Sequence, residues 1–170
     1  MKIAITGHTA GIGAALAEAY YGNEIVGLSR QNGYNIRSIP KIADAIESCD
    51  VFINNAQAGF AQTELLFEVQ RRWAGTDKHI IVISTMLAQE PACRMSGMEE
   101  YHLQKVALEE AVQQLRFKNL KPRITLVRPG KVATQADGLG ADPAVWARIL
   151  VATFAMAESN GLSIPDISLK

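Results

Sequence analysis

The chain has little of what metal and disulfide chemistry requires. Its two cysteines, Cys49 and Cys93, stand alone, at no metal-binding or redox spacing, and read as packed or incidental thiols. The three histidines, His8, His79 and His102, are scattered, so no metal site is expected. No sign of charge is in excess: Lys plus Arg and Asp plus Glu each number 17, which argues against capture of nucleic acid or an anionic membrane surface. The apolar stretch ILVATFAMA is far shorter than the roughly 20 residues that span a bilayer. Met1 and Lys2 lead directly into an apolar run with no room for a leader, so a cytoplasmic protein is expected. There is no internal repeat, low-complexity tract or linker.

What is present is the material of one globular domain. The 170 residues are 48% hydrophobic and 20% charged, enough for one substantial core and too few for two ordinary domains. Short apolar runs rich in branched residues predict strands at 2–6, 24–29, 50–54, 79–84 and 123–127, with a stub at 34–36 and a last strand in LSIPDISL, where Pro165 suits an edge. Between them, apolar residues recur at helical spacing. Helices are predicted from about Gly11 to Gly22, over 39–48 and 62–74, around Tyr101 to Leu115, and from Asp142-Pro143 to Gly161. Strands that alternate with helices and are apolar along their whole length imply an α/β fold: a Rossmann-like, doubly wound parallel sheet in a single domain. Ligands of such sheets bind beyond the carboxyl ends of the strands, near the point where strand order reverses.

The motifs cluster at those ends. The first strand runs into TGHTAGIG, which sets Gly7, Gly11 and Gly13 between a strand and a helix, where a pyrophosphate can approach backbone N–H groups. The second strand ends in Ser29-Arg30 rather than an acidic residue, which favours the extra phosphate of NADP over NAD. His8 could add positive character there. In YHLQK, Tyr101 and Lys105 are four apart on a helix, with Cβ atoms roughly 5–6 Å apart.

Taken together, TGHTAGIG (6–13), NNAQAG (54–59), Ser84 closing IIVIS, YHLQK (101–105) and RPGKVAT (128–134) resemble the short-chain dehydrogenase/reductase family, in that family's order and across most of the chain. The resemblance implies an NADP-dependent oxidoreductase interconverting a small carbonyl compound and its alcohol. Its catalytic residues would be Ser84, Tyr101 and Lys105. Its cofactor contacts would be Gly7, Gly11, Ile12, Gly13, Ser29, Arg30, Asn35, Ile36, Asn55, Ala56, Tyr101, Lys105, Pro129, Gly130, Val132 and Thr134. It also implies a homo-oligomer, dimer or tetramer, paired through long helices.

The chain departs from the family in several places. Gln57 displaces the glycine that usually follows NNA. Ser84 lies unusually far ahead of Tyr101, and Thr85 could take its hydroxyl role. The asparagine usually found in the helix before the serine-bearing strand has no counterpart, Gln62 being a stand-in. In the chemistry the resemblance implies, Tyr101 gives or takes the proton of the carbonyl oxygen. A free phenol titrates near pH 10, and an adjacent ammonium with an oxidised nicotinamide is expected to lower that. Two rival readings are a dinucleotide-binding regulator or scaffold that has lost its chemistry, and an epimerase-like relative.

Overall fold

The computed structural model describes residues 1–91, 94, 96–118, 121–134 and 138–170. Six strands, β1 (Lys2–Thr6), β2 (Glu24–Leu28), β3 (Val51–Asn54), β4 (His79–Ile83), β5 (Arg123–Pro129) and β6 (Asp166–Leu169), form one sheet. They are parallel throughout, in the order β2-β1-β3-β4-β5-β6. Five helices connect them: α1 (Gly11–Ala19), α2 (Ile39–Ala45), α3 (Ala61–Arg72), α4 (Glu99–Lys118) and α5 (Pro143–Ser159).

Side chains alternate across each strand, so continuous apolar runs supply two cores. Ala4, Phe52, Ile80, Val82 and Leu126 face α2, α3 and α4, where Leu65, Val69, Leu108 and Val112 meet them. Ile3, Ile5, Ile53, Ile81, Ile83 and Val127 face α1 and α5, against Leu16, Trp146 and Leu150. α5 starts where Asp142 accepts from the N–H groups of Ala144 and Val145, with Pro143 in its first turn. Cys49 is a fully buried core residue; Cys93 lies outside the described residues.

One expected element is absent. Tyr34–Ile36 forms no strand, because the chain leaving β2 spends its polar groups locally. A short 3₁₀ turn over Arg30–Asn32 is closed by Asn32 accepting from the Ser29 N–H at 2.8 Å, and the Tyr34 N–H returns to the Ser29 carbonyl. Ile36 turns into the core instead. No helix among the described residues is long and apolar enough to cross a membrane.

The order reverses at β1, which has β2 on one side and β3 on the other, so the crevice of this fold opens beyond Thr6 and Asn54.

Candidate active site

β1 and β3 are stitched together at this crevice. The Thr6 hydroxyl accepts from the Asn55 and Ala56 N–H groups at 2.9 and 3.0 Å, and the Asn55 amide donates to the Thr6 carbonyl at 2.9 Å. The chain then turns at Gly7, whose φ of 70° disfavours any side chain. A Cβ on Gly13 would stand 2.2 Å from the Gly7 carbonyl oxygen, so α1 packs onto the turn only because glycine is there. α1 begins with no side-chain cap and no acidic residue in its first turn. The N–H groups at the start of α1 are therefore left for an anion at the positive end of the helix. Thr134 hangs over this end, its methyl 3.2 Å from where a Cβ of Gly11 would be, while Ile12 packs into the core below.

From the glycine turn a cleft of about 560 Å³ runs past the end of β2, lined by Gly7, Arg30, Asn35, Ile36, Arg37 and Ala56 among others. Arg30 and Arg37 are exposed and form no ion pair with any described residue. The sequence reading missed Arg37; the signal was a second basic residue directly after the wall residue Ile36. Ser29 lines the same cleft, but its hydroxyl donates to Asn32 at 3.2 Å within its own turn. His8 does not line the cleft: its ring lies against Gly27, and Nδ1 is buried without a partner.

Tyr101 and Lys105 sit on the inner side of α4 over the end of β4. Lys105 is only 3% exposed. Its Nζ donates to Gln62 Oε1 at 2.8 Å and to the Ile83 carbonyl at 3.1 Å, leaving one donor over. Gln62 is held in turn, its amide donating to the Asn54 and Ile83 carbonyls at 2.8 and 2.9 Å. Nζ lies 5.7 Å from the Tyr101 ring centroid. Burial pushes the Lys105 pKa down to about 8, against the charge of Glu109, which raises it. Burial pushes the Tyr101 phenol above its ordinary value, and a side-chain hydrogen bond with Thr85 offsets this only in part. In the protein alone desolvation therefore outweighs the neighbouring groups, and Tyr101 is protonated at neutral pH; the expected depression is for a phenol beside an oxidised nicotinamide.

The two neighbouring hydroxyls divide. Thr85 meets the phenol and accepts from the Leu87 N–H, whereas Ser84 turns the other way and donates to Glu109 Oε1 at 2.6 Å. The Ser84 hydroxyl, expected beside the substrate oxygen, is thus engaged by Glu109, and Thr85 is the hydroxyl next to the phenol. α4 is tied to the loop of Asn55 and Ala56 by the Gln57 amide, which donates to Gln104. Ala56 meets the glycine turn, since a Cβ on Gly7 would lie 3.2 Å from its own, so the phenol and the turn occupy the same end of the sheet. β5 ends at Pro129, and the N–H of the following Gly130 donates to the Leu169 carbonyl; Val132 is buried against the α1 and α5 side.

No family model matches the chain, and no curated protein matches it by sequence. Its backbone does match solved structures. An alcohol dehydrogenase from the archaeon Thermococcus sibiricus, complexed with 5-hydroxy-NADP, superposes with a TM-score of 0.76 at 15% identity over 99% of this chain and 95% of that one. The chain has the fold of a short-chain dehydrogenase. A short-chain dehydrogenase from Burkholderia cenocepacia J2315, in complex with NADP, gives 0.76 at 17% identity, covering 99% and 87%. Another from Streptomyces avermitilis gives 0.73 at 19%, covering 99% and 87%.

Proposed function

We propose that the protein is an NADP(H)-dependent oxidoreductase that interconverts a small carbonyl compound and its alcohol. The observation that carries this reading is the Thr85–Tyr101–Lys105–Gln62 constellation at the end of β4, on the same end of the sheet as an uncapped glycine turn. The residues present fit a dinucleotide. The first turn of α1 offers N–H groups to a pyrophosphate, Asn35 and Ile36 form the wall for an adenosine, and Arg30 and Arg37 favour the additional phosphate of NADP. Asn55 and Ala56 brace the turn, and Pro129, Gly130, Val132 and Thr134 form the rim at the nicotinamide end. NADP-bound structures of the same fold support the cofactor choice.

When bound, the reduced nicotinamide supplies the hydride. The chain supplies the rest. The Thr85 hydroxyl, in place of Ser84, holds the substrate oxygen as charge builds on it. Tyr101, neutral at physiological pH, gives that oxygen its proton. Lys105, cationic below pH 8, stabilises the phenolate left behind and keeps one N–H for a ribose hydroxyl. Gln62 fixes the ammonium directly, which supports activity without the family's asparagine.

The same reading carries a second copy of the chain as partner. α4 leaves Leu103, Val106 and Phe117 exposed along one side, and Phe67 of α3 is exposed as well.

The test is NADPH oxidation with a panel of small ketones and aldehydes, alongside thermal shifts with NADP and NAD. Turnover abolished by Tyr101→Phe with NADP binding retained is the expected result. Intact NADP binding with no turnover across the panel would favour a regulator or scaffold. A thermal shift larger for NAD than for NADP would remove the role given to Arg30.

A further inference from the structure

One buried carboxylate has no part in the steps above. Of the acidic side chains of α4, Glu99, Glu100 and Glu110 are exposed, whereas Glu109 is 8% exposed. Its oxygens have separate tasks: Oε1 accepts from the Ser84 hydroxyl at 2.6 Å, and Oε2 pairs with the Arg128 guanidinium at 2.8 Å. Arg128 extends the chain of contacts to Asp166 on β6 at 3.0 Å. A carboxylate taken out of water costs several kcal/mol unless it is paired, and an apolar residue such as the neighbouring Leu108 would fill the space without that cost. Glu109 stands one turn after Lys105 on the inward side of α4.

The surroundings of Lys105 show what this carboxylate does. α3 presents the neutral Gln62 amide to it, β4 the Ile83 carbonyl, and α4 the Tyr101 phenol and Glu109, the last paired on its far side with Arg128 of β5. The hydrogen-bond partners of the ammonium are thus uncharged, and Glu109 is the carboxylate whose charge acts on it. We propose that Glu109 is a positioning residue of this site: it draws the Ser84 hydroxyl away, leaving the substrate oxygen to Thr85, and supplies the buried negative charge that keeps Lys105 an ammonium beside Tyr101. The purpose of this arrangement rests on the oxidoreductase reading; its test does not.

The test follows the titration of the Lys105 ε-carbon by NMR in the full chain labelled with ¹³C-lysine, assigned with Lys105→Arg. In Glu109→Gln the midpoint falls, lowering the proton affinity about tenfold, and Glu109→Asp restores most of it. Where turnover is measurable, the alkaline limb of kcat/KM moves the same way. Because Glu109→Gln strands Arg128, a second variant serves if the first does not fold: Arg128→Met leaves Glu109 unpaired and should raise the midpoint. A Lys105 midpoint unchanged in either folded variant overturns the proposal. Failure of the oxidoreductase reading shows elsewhere, as absent NADP binding and absent turnover, and leaves the lysine titration readable.

Discussion

Ser84 and Thr85 differ by one methyl group and one step along the chain, yet they fall in different environments. Both hydroxyls fit the substrate-holding role by type, and no spacing rule separates them. What separates them is where each meets α4: Ser84 reaches Glu109, two turns further along the helix than Tyr101, which Thr85 meets. Thr85→Val is accordingly expected to lower kcat/KM by about 10²-fold or more through the lost hydrogen bond in the transition state. Ser84→Ala should cost less than about tenfold, which steady-state kinetics on the two variants will check; the reverse order would return the role to Ser84. Lys105 gives a second residue-scale expectation. Its folded pKa of about 8 lies below the ordinary 10.5, so between those values the unfolded chain holds a proton that the folded chain has released. Stability therefore rises with pH across that window, and below pH 8 the full cost of the buried charge, about 3 kcal/mol, is present. Urea unfolding at pH 7.5 and 9.5 should show the gain in the wild type and its loss in Lys105→Met.

At the scale of elements, period and punctuation carried most of the fold. Fully apolar runs marked the central strands, and Asp142-Pro143 marked the start of α5 where the cap hydrogen bonds are found. The stub at 34–36 failed because three residues of strand-like composition cannot outweigh a local turn that already satisfies the backbone. The glycine turn shows how an element makes a site. Its spacing was legible, but the reason for Gly13 is a contact between the first helical turn and the carbonyl of Gly7, six positions earlier. Gly13→Ala is expected to force α1 off the turn. NADP binding should be lost, and chemical denaturation should show destabilisation of about 1–3 kcal/mol from overpacking. A variant that still binds NADP with wild-type affinity would mean that α1 does not hold the pyrophosphate.

At the scale of the whole molecule, the parallel order gathers residues from six separate segments at one end of the sheet. The outward side of α4 offers the remaining surface. Leu103, Val106 and Phe117 recur at helical spacing with 58%, 37% and 93% of their area exposed, an apolar stripe that a second copy of the chain would cover. Light scattering is expected to find at least a dimer of the 18.5 kDa chain, and Val106→Glu to shift it toward the monomer. A monomeric wild type at micromolar concentration would remove this surface as an interface.

Sequence alone determined the alternation of strands and helices, the parallel sheet, and the residue types available at the strand ends, because periodicity and turn chemistry act over a few residues. It also placed Tyr101 and Lys105 on one helix side. Tertiary structure alone decided that Gln62 grips Lys105, that Ser84 belongs to Glu109 and Arg128, and that burial raises rather than lowers the Tyr101 phenol. Those outcomes depend on which side chains from α3, α4, β4 and β5 share a water-free volume, and hydrogen bonds and desolvation act through that proximity rather than through distance along the chain.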